Sequence, residues 1–225
     1  MATPPTKARK MSEIASITSQ IRTSRIVPVA VVHRVEDGCR LAESLLVGGV
    51  KVLEITLRTD AAREALRQVR KRFPDILLGA GTIIDANVIP SLVDEGIDFG
   101  ISPGLDEGVV AQCAEVGLPL FPGVVTPTEV SRALALGCHR LKFFPAESAG
   151  GAAYLKALAA PFKARGVSFL PTGGITAEKA KAYWALPEVD AVGGSWLVAG
   201  QLIADGRFGE ITRLAKEALA LASKH

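Results

Sequence analysis

Short apolar runs alternate with helical patterns along almost the whole of this sequence. Eight runs of strand-like composition are each followed by a stretch in which apolar residues recur at helical spacing. They begin near residues 26, 50, 76, 97, 118, 139, 167 and 189. This spacing suits right-handed crossovers between parallel strands, so it predicts an α/β fold of the (β/α)8 TIM barrel type. A doubly wound open sheet is the structural alternative, although no GxGxxG motif opens the first helix.

The amino-terminal segment lies outside this repeat. Isoleucines recur at helical spacing from Ile14 to Ile21, with Ser12 as the predicted N-cap, so an extra helix precedes the first strand. Residues 1–11 contain Lys and Pro but no apolar stretch, which predicts a disordered tail without a secretory signal. The chain of 225 residues has no linker-like segment, so residues 12–225 are predicted to form a single barrel domain.

Composition and charge exclude several classes of function. The net charge is only +3, and no basic stripe with interleaved aromatics is present, so no nucleic-acid partner is expected. No charge-free apolar run reaches the roughly 18 residues of a spanning helix, so no membrane partner is expected either. The three cysteines, Cys39, Cys113 and Cys138, are far apart and in no metal-binding spacing. They predict a reducing, cytoplasmic location and no disulfide framework or zinc site.

One lysine lies within a strand that is predicted to be buried. The run from Leu141 to Pro145 is apolar apart from Lys142, and an ammonium group there must be paired, extended to the surface or uncharged. An exposed strand end or a structural salt bridge is the more frequent explanation for a lone lysine. The alternative is a lysine that attacks a carbonyl group and forms a Schiff base. Lys142 by itself does not decide between them.

The second predicted strand carries charged side chains on one side. Glu54, Thr56 and Arg58 alternate at period two, so all three point the same way. A carboxylate and a guanidinium are costly in a strand buried on both faces unless they face a polar cavity. A structural ion pair would explain these two alone. Together with Lys142 on another strand, they favour a functional site at the carboxyl ends of the strands.

Small residues follow four further strands. The segments at 79–82 and 101–104 would let a ligand approach the backbone, although each could also be an ordinary tight turn. Gly-Gly pairs follow the seventh and eighth strands, at 173–174 and 193–194. Barrels of this size commonly bind phosphate on backbone N–H groups after these two strands. The two pairs therefore indicate a phosphate site.

Six motifs at these strand ends occur together and in the order found in one enzyme family. They are LEITLRT at 53–59, GAGT at 79–82, ISPG at 101–104, KFFPAE at 142–147, PTGG at 171–174 and GGSW at 193–196. From about Ser12 to Ala222 the sequence closely resembles the KDPG/KHG aldolases, where KDPG is 2-dehydro-3-deoxy-6-phosphogluconate and KHG is 4-hydroxy-2-oxoglutarate.

This resemblance implies an enzyme and a reaction. The family members are class I aldolases, which are carbon–carbon lyases that cleave KDPG to pyruvate and glyceraldehyde 3-phosphate in the Entner–Doudoroff pathway. KHG cleavage stays open as a side activity. The substrate would be a phosphorylated 2-keto-3-deoxy sugar acid, no metal or other cofactor would be required, and the assembly would be a homotrimer.

The resemblance also implies a role for each matched residue. Lys142 would form the Schiff base, Glu54 would be the general acid and base, and Arg58 and Thr82 would hold the pyruvyl carboxylate. The other implied substrate-binding residues are Pro103 and Phe144 at the pyruvyl end and Thr172, Gly173, Gly174, Gly194 and Ser195 at the phosphate end. The role of His33 and Arg34 is open between a surface loop and an extra phosphate contact.

Other functions remain open at this stage. Related phosphogalactonate aldolases tend to have an aliphatic residue at the position of Thr172, whose hydroxyl favours the gluconate epimer. A phosphate-binding isomerase or synthase would share the glycine turns without the lysine chemistry, and a non-catalytic sugar-phosphate sensor would keep the pocket alone. Borohydride trapping of a pyruvate adduct separates the Schiff-base enzyme from these two.

Overall fold

Parallel strands line the interior of the molecule in the computed structural model, which describes residues 7–224. The strands are Ile26–Ala30 (β1), Val52–Thr56 (β2), Leu77–Gly81 (β3), Phe99–Ile101 (β4), Leu120–Phe121 (β5), Gly123–Val124 (β6), Arg140–Phe143 (β7), Ser168–Pro171 (β8) and Val192–Gly194 (β9). The α-helices are Lys7–Ser24 (α1), Val35–Val47 (α2), Ala62–Arg72 (α3), Ile89–Asp94 (α4), Glu107–Val116 (α5), Pro127–Ala135 (α6), Gly151–Ala159 (α7), Ala177–Trp184 (α8), Gly200–Ala204 (α9) and Phe208–Ala222 (α10). Short 3-10 helices occur at Ala86–Val88, Ala160–Arg165 and Trp196–Val198.

The strands form two hydrogen-bonded sheets, and every strand pair is parallel. The larger sheet has the order β5-β4-β3-β2-β1-β9, and the smaller has the order β6-β7-β8. Pro122, which has no N–H to donate, lies between β5 and β6 and divides the fifth predicted strand. Isolated bridges from Phe169 to Val189 and from Thr172 to Gly193 link β8 to the β9 region. The predicted parallel α/β class is confirmed, but the strands are organised as two curled sheets rather than one continuous ring.

Sequence signals mark the starts of two helices, α6 and α4. Thr126 is the N-cap of α6, because its hydroxyl accepts from Glu129 N at 3.3 Å and the Glu129 carboxylate accepts from Thr126 N at 2.8 Å. Pro90 lies in the first turn of α4, as a proline must. The short helix α9 follows the last strand and is not predicted by any apolar repeat in the sequence.

The amino-terminal helix is longer than the sequence pattern predicts. Helix α1 begins at Lys7, so Ser12 lies inside it and is not its N-cap. The helix therefore covers part of the predicted disordered tail at 1–11, and residues 1–6 lie outside the described residues. Ile21 of α1 is buried against the strands. No helix within residues 7–224 has both the length and the hydropathy to cross a bilayer.

Apolar side chains fill the interior near the amino ends of the strands. Phe99 and Phe121 pack edge to face there, with ring centroids 6.0 Å apart. Gly79 makes room for this pair, because a Cβ at Gly79 would overlap the Phe99 ring. Ile17 and Ile21 of α1 pack against the same cluster and cover its amino end. Polar side chains can therefore reach an open space only at the carboxyl ends of the strands.

Candidate active site

A cavity of about 400 Å³ opens at the carboxyl ends of the strands. Nine of the eleven predicted site residues line it. They are Arg58, Thr82, Pro103, Lys142, Phe144, Thr172, Gly173, Gly174 and Ser195. The parallel order of the strands brings these ends together from distant parts of the sequence. The other two predicted residues, Glu54 and Gly194, are buried and lie outside the cavity surface.

Lys142 lies in the cavity wall and is only 5% exposed. Its place on β7 is between Gly123 of β6 and Leu170 of β8, where it pairs in register with both. The Nζ atom lies 4.5 Å from the centroid of the Phe144 ring. No carboxylate among the described residues forms an ion pair with it. The exposed-end and salt-bridge explanations are therefore both wrong, and the amine faces the cavity unpaired.

Glu54 is fully buried on β2, and neither carboxyl oxygen has a hydrogen-bond partner in the described part of the chain. Burial raises the pKa of Glu54, and the nearby charge of Lys142 lowers it by less, so the net shift is upward. The two side chains are close enough to interact but do not form a direct ion pair. A buried carboxyl group without partners is rare and costly, so it needs an explanation beyond folding. Exchange of a proton with a ligand in the cavity would explain why this carboxyl group is buried without partners.

The raised pKa of Glu54 predicts how stability depends on pH. Because the folded-state pKa lies above the unfolded one, Glu54 contributes fully to stability below its unfolded pKa. That contribution is lost as the pH rises through the folded pKa. Glu54→Gln removes this dependence, so the variant is expected to gain stability over the native chain as the pH rises, by up to about 1.4 kcal/mol for each pH unit between the two pKa values.

Urea unfolding of both proteins across neutral pH measures this difference. Glu178→Gln is the matched control, because the Glu178 side chain is 82% exposed and the substitution removes the same charge at the surface. A stability difference between Glu54→Gln and the native chain that does not change with pH would show that Glu54 titrates normally in the folded state.

The third strand leaves space for the Glu54 carboxyl group. Gly81 of β3 pairs in register with Thr56, and a Cβ at Gly81 would overlap Glu54 Oε1. Gly79, on the same strand, pairs directly with Glu54. The GAGT motif therefore has a structural reason at this site, which is to make room for a carboxyl group on the neighbouring strand.

Arg58 and Thr82 lie at one end of the cavity. Arg58 is exposed, and no ion-pair or hydrogen-bond partner is found for its guanidinium group within the described range. A guanidinium in that state can bind a carboxylate through two parallel hydrogen bonds. Thr82 has a φ of 61°, a left-handed conformation that is uncommon for a β-branched residue. Such strain occurs where the surrounding structure holds a residue in place, often at a ligand site.

The opposite end of the cavity is formed by the turn after β8. Gly173 and Gly174 both have positive φ values, 108° and 73°, which glycine adopts without steric cost. Thr172 is buried, and its hydroxyl donates to Leu170 O at 3.3 Å. Gly193 on β9 makes room for the Thr172 side chain, because a Cβ at Gly193 would overlap its hydroxyl oxygen.

The strand end and turn at β9 contribute one residue to the cavity wall and one to the packing of the core. Ser195 is exposed and lines the cavity at the start of the 3-10 helix Trp196–Val198. Gly194 is needed for packing, because a Cβ there would overlap the Trp196 indole ring. A direct contact between Gly194 and substrate stays a prediction.

Arg34 is held in the loop after β1 and does not line the cavity. Its guanidinium donates two hydrogen bonds of 2.9 Å to Asp37, a buried carboxylate in the first turn of α2. His33 is exposed and is also absent from the cavity surface. This geometry favours the surface-loop interpretation of the two residues over an extra phosphate contact.

Three residues of the cavity wall were not predicted from the sequence, namely Val29, Val31 and Ile175. Thr56 and Gly193 also line the cavity, and they lie in segments that the sequence indicated without assigning them a role. Val29 in β1 and Val31 just after it follow the same period-two rule as Glu54, Thr56 and Arg58, so alternation in the first predicted strand could have identified them. Ile175 lies in a turn, where alternation carries no information.

Comparison with known proteins identifies a matching family and similar chains. Residues 17–214 match the sequence model described as KDPG and KHG aldolase. The 2-dehydro-3-deoxy-phosphogluconate aldolase of Treponema pallidum is 42% identical over 206 residues, which are 92% of this chain and 97% of that protein.

Two solved structures are similar in sequence and in fold. The KDPG aldolase of Legionella pneumophila, with pyruvate captured as a covalent carbinolamine intermediate, is 39% identical with a TM-score of 0.86 and covers 90% of this chain and 97% of its own. The 2-keto-3-deoxy-6-phosphogluconate aldolase of Zymomonas mobilis, with 3-phosphoglycerate, is 40% identical with a TM-score of 0.84 and covers 92% of this chain and 97% of its own.

Proposed function

The chain belongs to the KDPG and KHG aldolase family, and from that premise we propose that it cleaves KDPG to pyruvate and glyceraldehyde 3-phosphate through a Schiff base on Lys142. The observation that carries this proposal is the buried, unpaired Lys142 amine in the cavity wall, close to the unpartnered Glu54 carboxyl group. The carbinolamine captured in the Legionella pneumophila enzyme is the first covalent species that such a lysine forms. The enzyme class that follows is a carbon–carbon lyase.

The first half of the reaction forms the iminium ion. Once it has lost its proton, the Lys142 amine adds to the C2 carbonyl carbon of the substrate, and the carbinolamine loses water to form the iminium ion. Arg58 and Thr82, at the same end of the cavity, would hold the adjacent carboxylate and so orient C2 toward the amine. Phe144 packs against Lys142 and limits where the Nζ atom can lie.

The second half breaks the C3–C4 bond. Glu54, acting through one bridging water because it lies outside the cavity surface, accepts the proton of the C4 hydroxyl group. The C4–O bond becomes the aldehyde carbonyl, and the electrons of the C3–C4 bond move to the iminium nitrogen to give an enamine. Protonation of C3 and hydrolysis of the iminium release pyruvate and restore the Lys142 amine.

The phosphate would lie against the turns after β8 and β9. Gly173, Gly174 and Ser195 line that end of the cavity, and backbone N–H groups in glycine turns are suited to an anion. Thr172, buried beside them, would contact the substrate hydroxyl groups and favour the gluconate over the galactonate epimer.

Borohydride trapping tests the proposed function. Incubation with pyruvate and borohydride is expected to reduce the iminium to a stable secondary amine, found by peptide mass spectrometry on Lys142 alone. Incubation with pyruvate without borohydride is the control. An unmodified Lys142 after trapping would refute the Schiff-base mechanism and would favour an isomerase or synthase that shares the phosphate turns.

Cleavage of KHG is a second candidate activity, because the matching family is described by both substrates. KHG lacks the phosphate group, so it would use the Lys142 end of the cavity without the glycine turns. Inorganic phosphate is therefore expected to inhibit KDPG cleavage more strongly than KHG cleavage when the two rates are measured at equal saturation.

Gly81→Ala is expected to lower kcat for KDPG cleavage by about 10²-fold, the scale of loss for an angstrom-sized displacement of a catalytic group. The added methyl group would displace the Glu54 carboxyl group. Gly104→Ala is the matched control, because a Cβ at Gly104 meets nothing within 4 Å. Steady-state kinetics and thermal unfolding measure both variants. A native kcat in Gly81→Ala would show that the position of Glu54 is not critical.

We also propose that the two sheets close as one eight-stranded barrel and that the chain assembles as a cytoplasmic homotrimer. Closure is supported by the short gap at Pro122 between β5 and β6 and by the bridge between Thr172 and Gly193. Assembly is supported by the family resemblance and by two exposed apolar side chains, Val47 and Ile84. Light scattering in solution measures the number of chains.

A further inference from the structure

A partly buried carboxylate, Glu147, connects the segment after β7 to the helix that follows the glycine turn after β8. Glu147 lies in the segment after β7. Its carboxylate accepts a hydrogen bond of 2.7 Å from the Tyr183 hydroxyl and forms an ion pair with Lys179 Nζ at 2.7 Å. Tyr183 and Lys179 both belong to α8, and Tyr183 is 1% exposed. None of the three residues lines the cavity, so they can affect a ligand only through the residues that do.

The same segment also holds the turn itself. Ala146 N donates to Thr172 O at 2.8 Å, and Glu147 N donates to Gly173 O at 3.0 Å. A Cβ at Gly174 would lie 3.0 Å from Glu147 Cβ, so the turn packs closely on this residue. The start of the turn is thus fixed by the backbone of 146–147. The end of the turn leads into α8, and Lys179 and Tyr183 of α8 bind the Glu147 side chain.

Two consecutive glycines need such restraint. Glycine has the largest backbone freedom of any residue, and ordering a flexible segment on ligand binding reduces affinity. We infer that Glu147, Tyr183 and Lys179 form a positioning network that holds the Gly173–Gly174 turn in its anion-binding conformation and thereby sets the affinity for the phosphate group. This inference rests on the proposed function, which assigns the phosphate to that turn.

The charge states of the network keep it intact at neutral pH. Burial raises the pKa of Glu147, but the hydrogen bonds from Lys179 and Tyr183 outweigh burial and make the net shift downward. Burial, followed by the hydrogen bond to Glu147, raises the pKa of the Tyr183 hydroxyl. The hydroxyl therefore stays a donor and the carboxylate stays an acceptor around neutral pH.

Binding of inorganic phosphate to the native chain and to three variants tests this inference without relying on turnover. Tyr183→Phe removes the hydroxyl and keeps the buried ring, Glu147→Gln removes the charge, and Lys179→Gln removes the cation. Lys181→Gln is the matched control, because Lys181 forms an equivalent pair with Glu178 at 2.8 Å on the exposed face of the same helix. Calorimetry gives the dissociation constant for phosphate, and borohydride trapping with pyruvate reports the other end of the cavity.

The network predicts that Tyr183→Phe and Glu147→Gln weaken phosphate binding by about three- to tenfold, the effect of losing part of a charge-assisted hydrogen bond. The KM for KDPG is expected to rise by a similar factor, while kcat and the pyruvate adduct stay native. Lys181→Gln is expected to leave all of these values unchanged.

Three results would overturn the inference. Native phosphate affinity with reduced thermal stability in Tyr183→Phe and Glu147→Gln would make the network a purely structural link. Weaker binding in Lys179→Gln alone would make Lys179 a direct ligand instead. Loss of the pyruvate adduct in parallel with phosphate affinity would mean that the whole site is disturbed. By contrast, failure of the native chain to form the adduct, with phosphate binding retained, would refute the proposed reaction and not the network.

Discussion

Replacing Lys142 with alanine is expected to lower kcat for KDPG cleavage by about 10⁴-fold or more, the scale seen when a catalytic nucleophile is removed. The iminium on Lys142 would be the electron acceptor for C3–C4 cleavage, and no other amine lines the cavity among residues 12–224, whose side chains the structure describes. The pyruvate adduct should disappear together with activity. Steady-state kinetics and mass spectrometry after borohydride reduction measure the two effects on the same preparation.

This loss should not come from unfolding. Lys142 is buried without an ion-pair partner among the described residues, so its removal relieves a desolvation cost and leaves no unpaired partner behind. The thermal midpoint of Lys142→Ala is therefore expected to stay near the native value. Lys156→Ala is the matched control, because Lys156 is an exposed lysine on α7. Residual cleavage within tenfold of native in Lys142→Ala would exclude Lys142 as the Schiff-base residue.

The side of each strand that faces the cavity could be predicted from sequence. Period two places Glu54, Thr56 and Arg58 on one side of β2, and the βα order brings that strand end and Lys142 to the same end of the fold. Both features are local, because they depend on alternation within a strand and on the order of elements. They explain why nine of the eleven predicted residues line the cavity.

The depth of a side chain could not be predicted in the same way. Period two assigns Glu54 and Arg58 to the same side, yet Glu54 is fully buried outside the cavity surface, whereas Arg58 lies two residues beyond the end of β2 and is exposed in the cavity wall. Depth depends on the strand register and on which neighbours leave space. Gly81 makes room for Glu54 only because β3 pairs with β2 in the register Thr56 to Gly81.

The state of a buried charge also depends on contacts between distant residues. The sequence left Lys142 open between a salt bridge and a reactive amine, because the choice depends on whether another strand supplies a carboxylate within reach. Gly194 shows a second limit of prediction from sequence, because a motif that resembles a ligand site can also be required for packing. Its motif resembles a phosphate turn, whereas the packing of Trp196 requires the same glycine.

Glu54→Gln is expected to lower kcat for KDPG cleavage by about 10²- to 10⁴-fold, the usual contribution of a general acid or base. The amide has nearly the same shape as the carboxyl group but cannot accept the C4 hydroxyl proton. The pyruvate adduct should still be trapped, because addition of Lys142 to pyruvate breaks no C3–C4 bond. KDPG cleavage should therefore be lost in Glu54→Gln while the pyruvate adduct still forms, whereas both should be lost in Lys142→Ala.

The pH dependence of kcat gives a second readout of the same residue. The ionised carboxylate is the base for cleavage, and burial raises the pKa of Glu54, so the rising limb of the native profile should lie above the range of an ordinary carboxyl group. Glu54→Gln should lose that limb. Glu54→Asp should keep it with an intermediate kcat, since its shorter side chain withdraws the carboxylate from the space beside Gly81. An unchanged profile in Glu54→Gln would assign the proton transfer to another group.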